Sequence, residues 1–366
     1  MRRKFRLTYF VIALLPLGSF SVHAQGAKSQ IAAEIARLQD SLQKDPIADP
    51  DLAPVAASAS QSLAAASAAL QSGKLYLSLE RLLQAEDLLS AARFPVQKAQ
   101  VVKSGYSAFE AEWKTVSQSL AALNQQSRNK DWSTSPAAIC ALAETALARC
   151  VPLLDGGRGF ALSTKPADGL LYLGQAQGEA TFAHFASALP ISRNAAPFPQ
   201  RSYLPELHKL QTKTNQAFKP PRSVKLHERF IALNSALKLA QELDAQKSYA
   251  GSLYQYLEAT RHFAMLDAPP VALDDQPSLR ANVAAALKRY AVSKHDDSIL
   301  QIFLERAVSQ ITHTDGSAPT ADEWRSAKVI LDDILPAYVA TKKPAATLPQ
   351  SNAKTVQLTL VRWPYT

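Results

Sequence analysis

Histidines, cysteines, carboxylates and glycines are the residues here whose types and spacing could do chemistry. His227-Glu228 begins like a zinc-protease helix, in which two histidines four apart bind the metal and the glutamate activates water, but Ile231 stands where the second histidine is needed. His184 and His262 are each followed by Phe-Ala, in stretches that resemble each other: Glu179-Ala180-Thr181 before His184, and Glu258-Ala259-Thr260 before His262. Dispersed residues such as His184, His262 and Glu258 are therefore the candidates for an assembled active or ligand site. Gly156-Gly157-Arg158-Gly159 follows a helix-forming run rather than a strand, so it reads as a helix stop and loop and not as a phosphate cradle. Asp315-Gly316-Ser317 reads as a turn, because it lacks the ligand periodicity of a calcium loop. No nucleophile elbow or dinucleotide fingerprint is present. The sequence thus predicts no catalytic, metal-binding or cofactor-binding residue by motif, and no cofactor.

Cys140 and Cys150 are the only cysteines. On one continuous helix ten residues rise ~15 Å, too far for a bridge that needs Cα atoms within ~7 Å. Three readings follow: both are buried free thiols, the helix breaks between them, or one pairs with another chain.

The tetrapeptide Gly-x-Leu-Tyr occurs three times, at Gly73–Tyr76, Gly169–Tyr172 and Gly251–Tyr254, in a chain with only 12 glycines. Each copy precedes a helical stretch that ends at a proline, Pro95, Pro190 or Pro269. This suggests internal repetition. Its structural reading is a glycine that tightens a helix-turn-helix link, a leucine in the core and a tyrosine at the rim. Its functional reading aligns Tyr76, Tyr172 and Tyr254 as a ladder facing a ligand or partner.

The elements that must position these residues are helices. At 47% hydrophobic with scarce glycine, the chain favours helix and can bury a large core. Ile31, Ile35, Leu38 and Leu42 form one helical stripe, and helices are expected over 55–72, 74–92, 96–126, 135–154, 169–189, 203–218, 223–246, 251–266, 279–292, 298–312 and 321–340. Ser135-Pro136 reads as a cap and first turn, and Thr320 with Glu323 as a capping box. The fold class is all-α: antiparallel helical repeats, a bundle or short α-solenoid of about three three-helix units, with a short C-terminal β-strand or extended tail. The units are expected at 25–134, 135–221 and 222–342, with a linker and tail at 343–366.

Residues 1–24 read as a signal peptide: Arg2, Arg3, Lys4 and Arg6, an apolar run from Leu7 to Leu17, and Val22-His23-Ala24 before the cut. This places the protein in the periplasm or outside the cell, with no membrane-spanning segment expected after cleavage. The formal charge is +9, and cleavage removes four of its cations and no acid. The remainder is mildly basic with mixed signs, which excludes a nucleic-acid-binding surface. Val356, Leu358 and Leu360 alternate before Trp363, so the tail reads as a strand in need of a partner edge. The tail would pair with 159–163 of the same chain, lie along a helix groove, or add to the sheet of an unknown protein partner or to a second copy of the chain. The reading that follows is an exported, non-catalytic interaction or scaffold module of the cell envelope; the alternative is an all-helical enzyme or small-ligand binder with a site built from dispersed residues.

Overall fold

The computed structural model describes residues 19–128, 130, 132, 134–163, 165–190, 198–220, 222–313 and 317–342. The chain forms α1 (Ser19–Lys44), α2 (Ala53–Gln71), α3 (Leu75–Gln97), α4 (Ala99–Ser104), α5 (Tyr106–Arg128), α6 (Ala137–Ser163), α7 (Pro166–Ala188), α8 (Leu204–Ala217), α9 (Arg222–Lys225), α10 (His227–Ala245), α11 (Tyr249–Ala264), α12 (Gln276–Ala291), α13 (Ser298–Ile311), α14 (Ala321–Val329) and α15 (Leu335–Thr341). A π-helical turn, Ile330–Ile334, joins the last two. The protein is all-helical, with no strand among the described residues. The tail with Val356, Leu358, Leu360 and Trp363 lies outside them. The 159–163 segment proposed as its partner edge is the last turn of α6, with its backbone groups inside a helix.

Two hairpins are built alike. α2 ends at Gly73 (φ 75°), where Lys74 N–H bonds Ala69 C=O at 2.9 Å and Gly73 N–H bonds Leu70 C=O at 3.1 Å. α10 ends at Lys247 (φ 62°), where Ser248 N–H bonds Leu243 C=O at 2.9 Å and Lys247 N–H bonds Asp244 C=O at 2.9 Å. Both are left-handed caps of the Schellman type. Beyond each turn a buried serine ties the hairpin: Ser78 Oγ donates to Ala66 C=O (2.8 Å), and Ser252 Oγ to Ala240 C=O (3.0 Å). Counterparts in the two hairpins stand 174 residues apart, as do Glu80 and Tyr254, which hydrogen-bond each other. The Gly-x-Leu-Tyr copies do not share this frame: Gly73 is the cap, while Gly169 and Gly251 lie inside α7 and α11. Lys247 occupies a backbone region that favours glycine, so Lys247→Gly is expected to raise stability by about 1 kcal/mol, measured by urea unfolding.

Each hairpin takes a support from a helix outside it. α11 packs on α6 and α3 on α13. Glu144 of α6 accepts the Gly251 amide at 2.7 Å, and Glu305 of α13 accepts the Leu77 amide at 2.8 Å, each in the first turn of the opposite helix. The first amides of α6, from Ala137 and Ala138, go to Asp296 (2.8 Å) and Ser298 (2.9 Å), rather than to a Ser135 cap. The Thr320–Glu323 capping box is present.

Several expected boundaries move. The 96–126 helix divides, because Pro95 lies within α3 and Gly105 at φ 77° ends α4 before α5 begins. α6 does not stop at Gly156: a Cβ on Gly157 would meet Gly169 C=O at 3.0 Å, so the glycine run is where α6 and α7 touch. α7 also presses on α3 through Gly174 and Gly178, whose added Cβ atoms would meet the Ser90 and Glu86 carbonyl oxygens at 2.4 and 2.6 Å. One described helix, α6, is long and apolar enough to cross a membrane by length and composition; 61% of its apolar 18-residue window is buried within the protein. Length and composition alone had suggested no such segment past the leader.

Candidate functional site

Where the two hairpins face each other, a cleft of about 870 Å³ opens. Its walls are helical rows. Glu80, Gln84 and Asp87 of α3 stand four and three residues apart, as do Tyr254, Glu258 and Arg261 of α11, so each triplet shares one helix face. Thr145 and Arg149 of α6, Arg306 and Gln310 of α13, and Glu179 of α7 complete the interior, with α10 at the mouth.

The most buried charged groups form two sets, while Arg81, Lys238 and Glu242 also line the cleft at more exposed positions. Arg306, only 7% exposed, bonds Glu80 and reaches Glu258 Oε1 at 2.6 Å. Arg261 Nε holds Glu258 Oε2 at 2.8 Å, and the Tyr254 hydroxyl donates to Glu80 at 2.5 Å. Burial opposes the charge on Glu258, but Arg306 and Arg261 outweigh it and hold this carboxyl well below the usual range. With both oxygens engaged by guanidiniums, Glu258 is committed to the network and is not a free base. His262 is pushed down to about 4 by burial and then by Arg261, whose Nη2 lies 3.3 Å from Nε2; it is neutral at physiological pH.

In the second set Arg149 Nη1 meets Glu179 Oε1 at 3.2 Å. Arg149 is enclosed by protein, yet 43% of its side chain meets the solvent in the cleft. Glu179 is 2% exposed, and burial raises its pKa and that of nearby Asp87 against the pull of Arg149. Among the described residues, Glu179 Oε2, Asp87 Oδ1 and Gln310 Oε1 are buried without a hydrogen-bond partner.

Around the cleft, burial also lifts Glu305 to about 8, Glu144 to about 7 and, behind α3, Glu86 to about 7, from an ordinary 4.5. Raised carboxyl values mean that the native protein keeps protons which the unfolded chain releases between about pH 4.5 and 8. Their contribution to stability is full below pH 4.5 and is lost as pH rises through the native values. The free energy of urea unfolding is therefore expected to fall from pH 5 to pH 8 by on the order of a few kcal/mol, and Glu305→Gln is expected to flatten that slope.

The structure sets the three motif tyrosines in unlike surroundings. Tyr76 is packed against the main core, with burial and the charges of Asp296 and Glu305 raising its pKa. Tyr172 stacks on Phe160 with ring centroids 4.8 Å apart. Tyr254 alone lines the cleft. Of the dispersed candidates, Glu258 and His262 come together there, whereas His184 lines a separate pocket of about 140 Å³. The 315–316 turn lies outside the described residues. Cys140 and Cys150 are free and buried on the continuous α6, and burial pushes both thiols up to about 12. Such thiols are poor nucleophiles and metal ligands. Among the described residues no three His, Cys, Asp or Glu side chains converge as a metal site.

Sequence reasoning missed Glu80, Asp87, Arg149 and Arg306, and named Glu179 only within the stretch before His184. The available signal was charge placed at helical spacing within apolar helices, such as Glu80 among Leu75, Leu79, Leu82 and Leu83. No family model matches the chain, and neither a curated protein nor a solved structure is similar to it.

Proposed function

We propose that the protein is an exported helical binder of a small polar ligand, taken up in the cleft between α3, α6, α7, α10, α11 and α13. The single observation that carries this reading is the buried, charged lining: side chains from all these helices converge on one cleft, and several of their polar atoms are left unpaired. Polar groups with shifted pKa values gathered in a concave site are the usual mark of a ligand or active site. The paired hairpins support a further reading of the chain as two related halves with the cleft between them.

The test is a thermal-shift screen of charged and neutral metabolites against the wild type and Ser235→Trp, which places an indole at the cleft mouth from an exposed position of α10. A ligand that raises the midpoint of the wild type and not of the variant supports the reading. A ligand that stabilises both equally binds elsewhere.

The competing reading is an interaction or scaffold module docking through its terminal segment. It is supported by the alternation of Val356, Leu358 and Leu360. A crosslinking pull-down from the envelope fraction, with and without truncation after Lys354, tests it: a partner lost on truncation favours the module over the binder.

A further inference from the structure

The two charge sets of the cleft are balanced differently. Glu80 and Glu258 face Arg306 and Arg261, two carboxylates against two guanidiniums, joined by direct bonds. Asp87 and Glu179 face Arg149. This end therefore carries one negative charge in excess when both acids are ionised. The unpaired atoms there have one character. Glu179 Oε2 and Asp87 Oδ1 are acceptors, as is Gln310 Oε1 on the same cleft, and each is buried. A buried acceptor without a donor is costly, so a ligand that supplies donors gains what the protein alone forgoes.

Resting on the reading of the cleft as a ligand site, we infer that its Asp87–Glu179 end is a subsite for a protonated amine. An alkylammonium group brings one positive charge and three donors, which answers one excess negative charge and the two unpaired carboxylate oxygens of Asp87 and Glu179. A metal ion suits the place less well, because no third His, Cys, Asp or Glu joins the two carboxylates among the described residues. An anion would add charge of the sign already in excess. The ammonium chemistry is common to polyamines and to amino acids with a side-chain amine.

The test is calorimetric titration of the protein with putrescine, spermidine and L-lysine, beside succinate and trehalose as probes without an amine. The expected result is binding of at least one amine that weakens about tenfold or more in Glu179→Gln and strengthens from pH 5 to pH 8 as the two acids release their protons. Asp87→Asn gives the same readout should Glu179→Gln fail to fold. Binding of the diamine and triamine but not lysine identifies a polyamine site; lysine alone identifies an amino-acid site; both support the subsite. Succinate or trehalose binding that Ser235→Trp blocks, with no amine bound, overturns the amine subsite and leaves the cleft as a ligand site. Amine affinity unchanged in both variants also overturns it. No binding by any probe overturns the inference, and a blank metabolite screen beside it would remove the ligand reading as well.

Discussion

Arg306→Ala is expected to destabilise the protein by about 3–5 kcal/mol, because it leaves two buried carboxylates without their shared cation. Arg306 is the hinge of a network in which Glu80 and Glu258 belong to different hairpins, so its guanidinium joins α3, α11 and α13 at once. Arg261 and the Tyr254 hydroxyl still engage the two acids in the variant, but neither spans both. The sign of the pH effect follows. Once Arg306 is gone, Glu258 loses the larger of the two cations that hold its carboxyl below the usual range, so its native pKa rises, protonation relieves the defect and the deficit shrinks as pH falls. Combining Arg306→Met with Glu80→Gln and Glu258→Gln is expected to restore most of the loss, since an uncharged buried set has no desolvated ion to compensate. The comparison is Lys44→Ala, whose Asp40 pair is solvent-exposed and worth no more than about 1 kcal/mol. Urea unfolding of these variants decides the matter: equal losses in Arg306→Ala and Lys44→Ala would contradict a buried network.

The second large effect concerns two glycines with no chemistry of their own. Alanine in place of glycine inside a helix ordinarily gains up to about 1 kcal/mol. Gly178→Ala is expected to lose about 2–3 kcal/mol instead, because the new methyl would lie 2.6 Å from the Glu86 carbonyl oxygen and 2.9 Å from Asp87 Cα. Gly174→Ala meets the Ser90 carbonyl oxygen at 2.4 Å and is expected to behave alike. These obstacles are backbone, so relief requires α7 to draw away from α3. Asp87 and Glu179 ride on those two helices, and any ligand that bridges them should bind less well in the same variants. Gly159→Ala is the matched opposite: nothing lies within 4 Å of its added Cβ, so it is expected to stabilise. A gain in all three variants would show that α3 and α7 are not in backbone contact.

Much of the helix pattern was legible because apolar residues recur at helical spacing; the stripe from Ile31 to Leu38 and the capping box at Thr320 are examples. The misplaced ends share one cause, which is that glycine and proline have two uses. Gly105 and Gly73 end helices, while Gly157, Gly169, Gly174 and Gly178 lie inside helices as points of close approach. Sequence alone does not distinguish a glycine chosen for its φ from one chosen for its missing Cβ. Pro95 and Pro152 likewise sit within helices. The cleft was almost invisible for another reason: its residues come from helices far apart in the chain, and no local window contains both Glu80 and Arg306. Glu258 and His262 were singled out through their likeness to the Glu179–His184 stretch, and that likeness reached the cleft at Glu179 but not at His184.

The supports that the hairpins take from α6 and α13 also govern when the molecule can become itself. The Leu77 amide finds its carboxylate 228 residues later in the chain, and the first turn of α6 waits for Asp296, 159 residues on. An emerging chain can close the α2–α3 turn early, since those bonds are local, but the hairpin stays unanchored until α13 has been made. These two long-range bonds can form only after residues 296–305 have been made. A fragment ending before α10 has no complete form of its own to adopt, and two such unfinished chains have matching needs that each could meet only by borrowing from a longer neighbour.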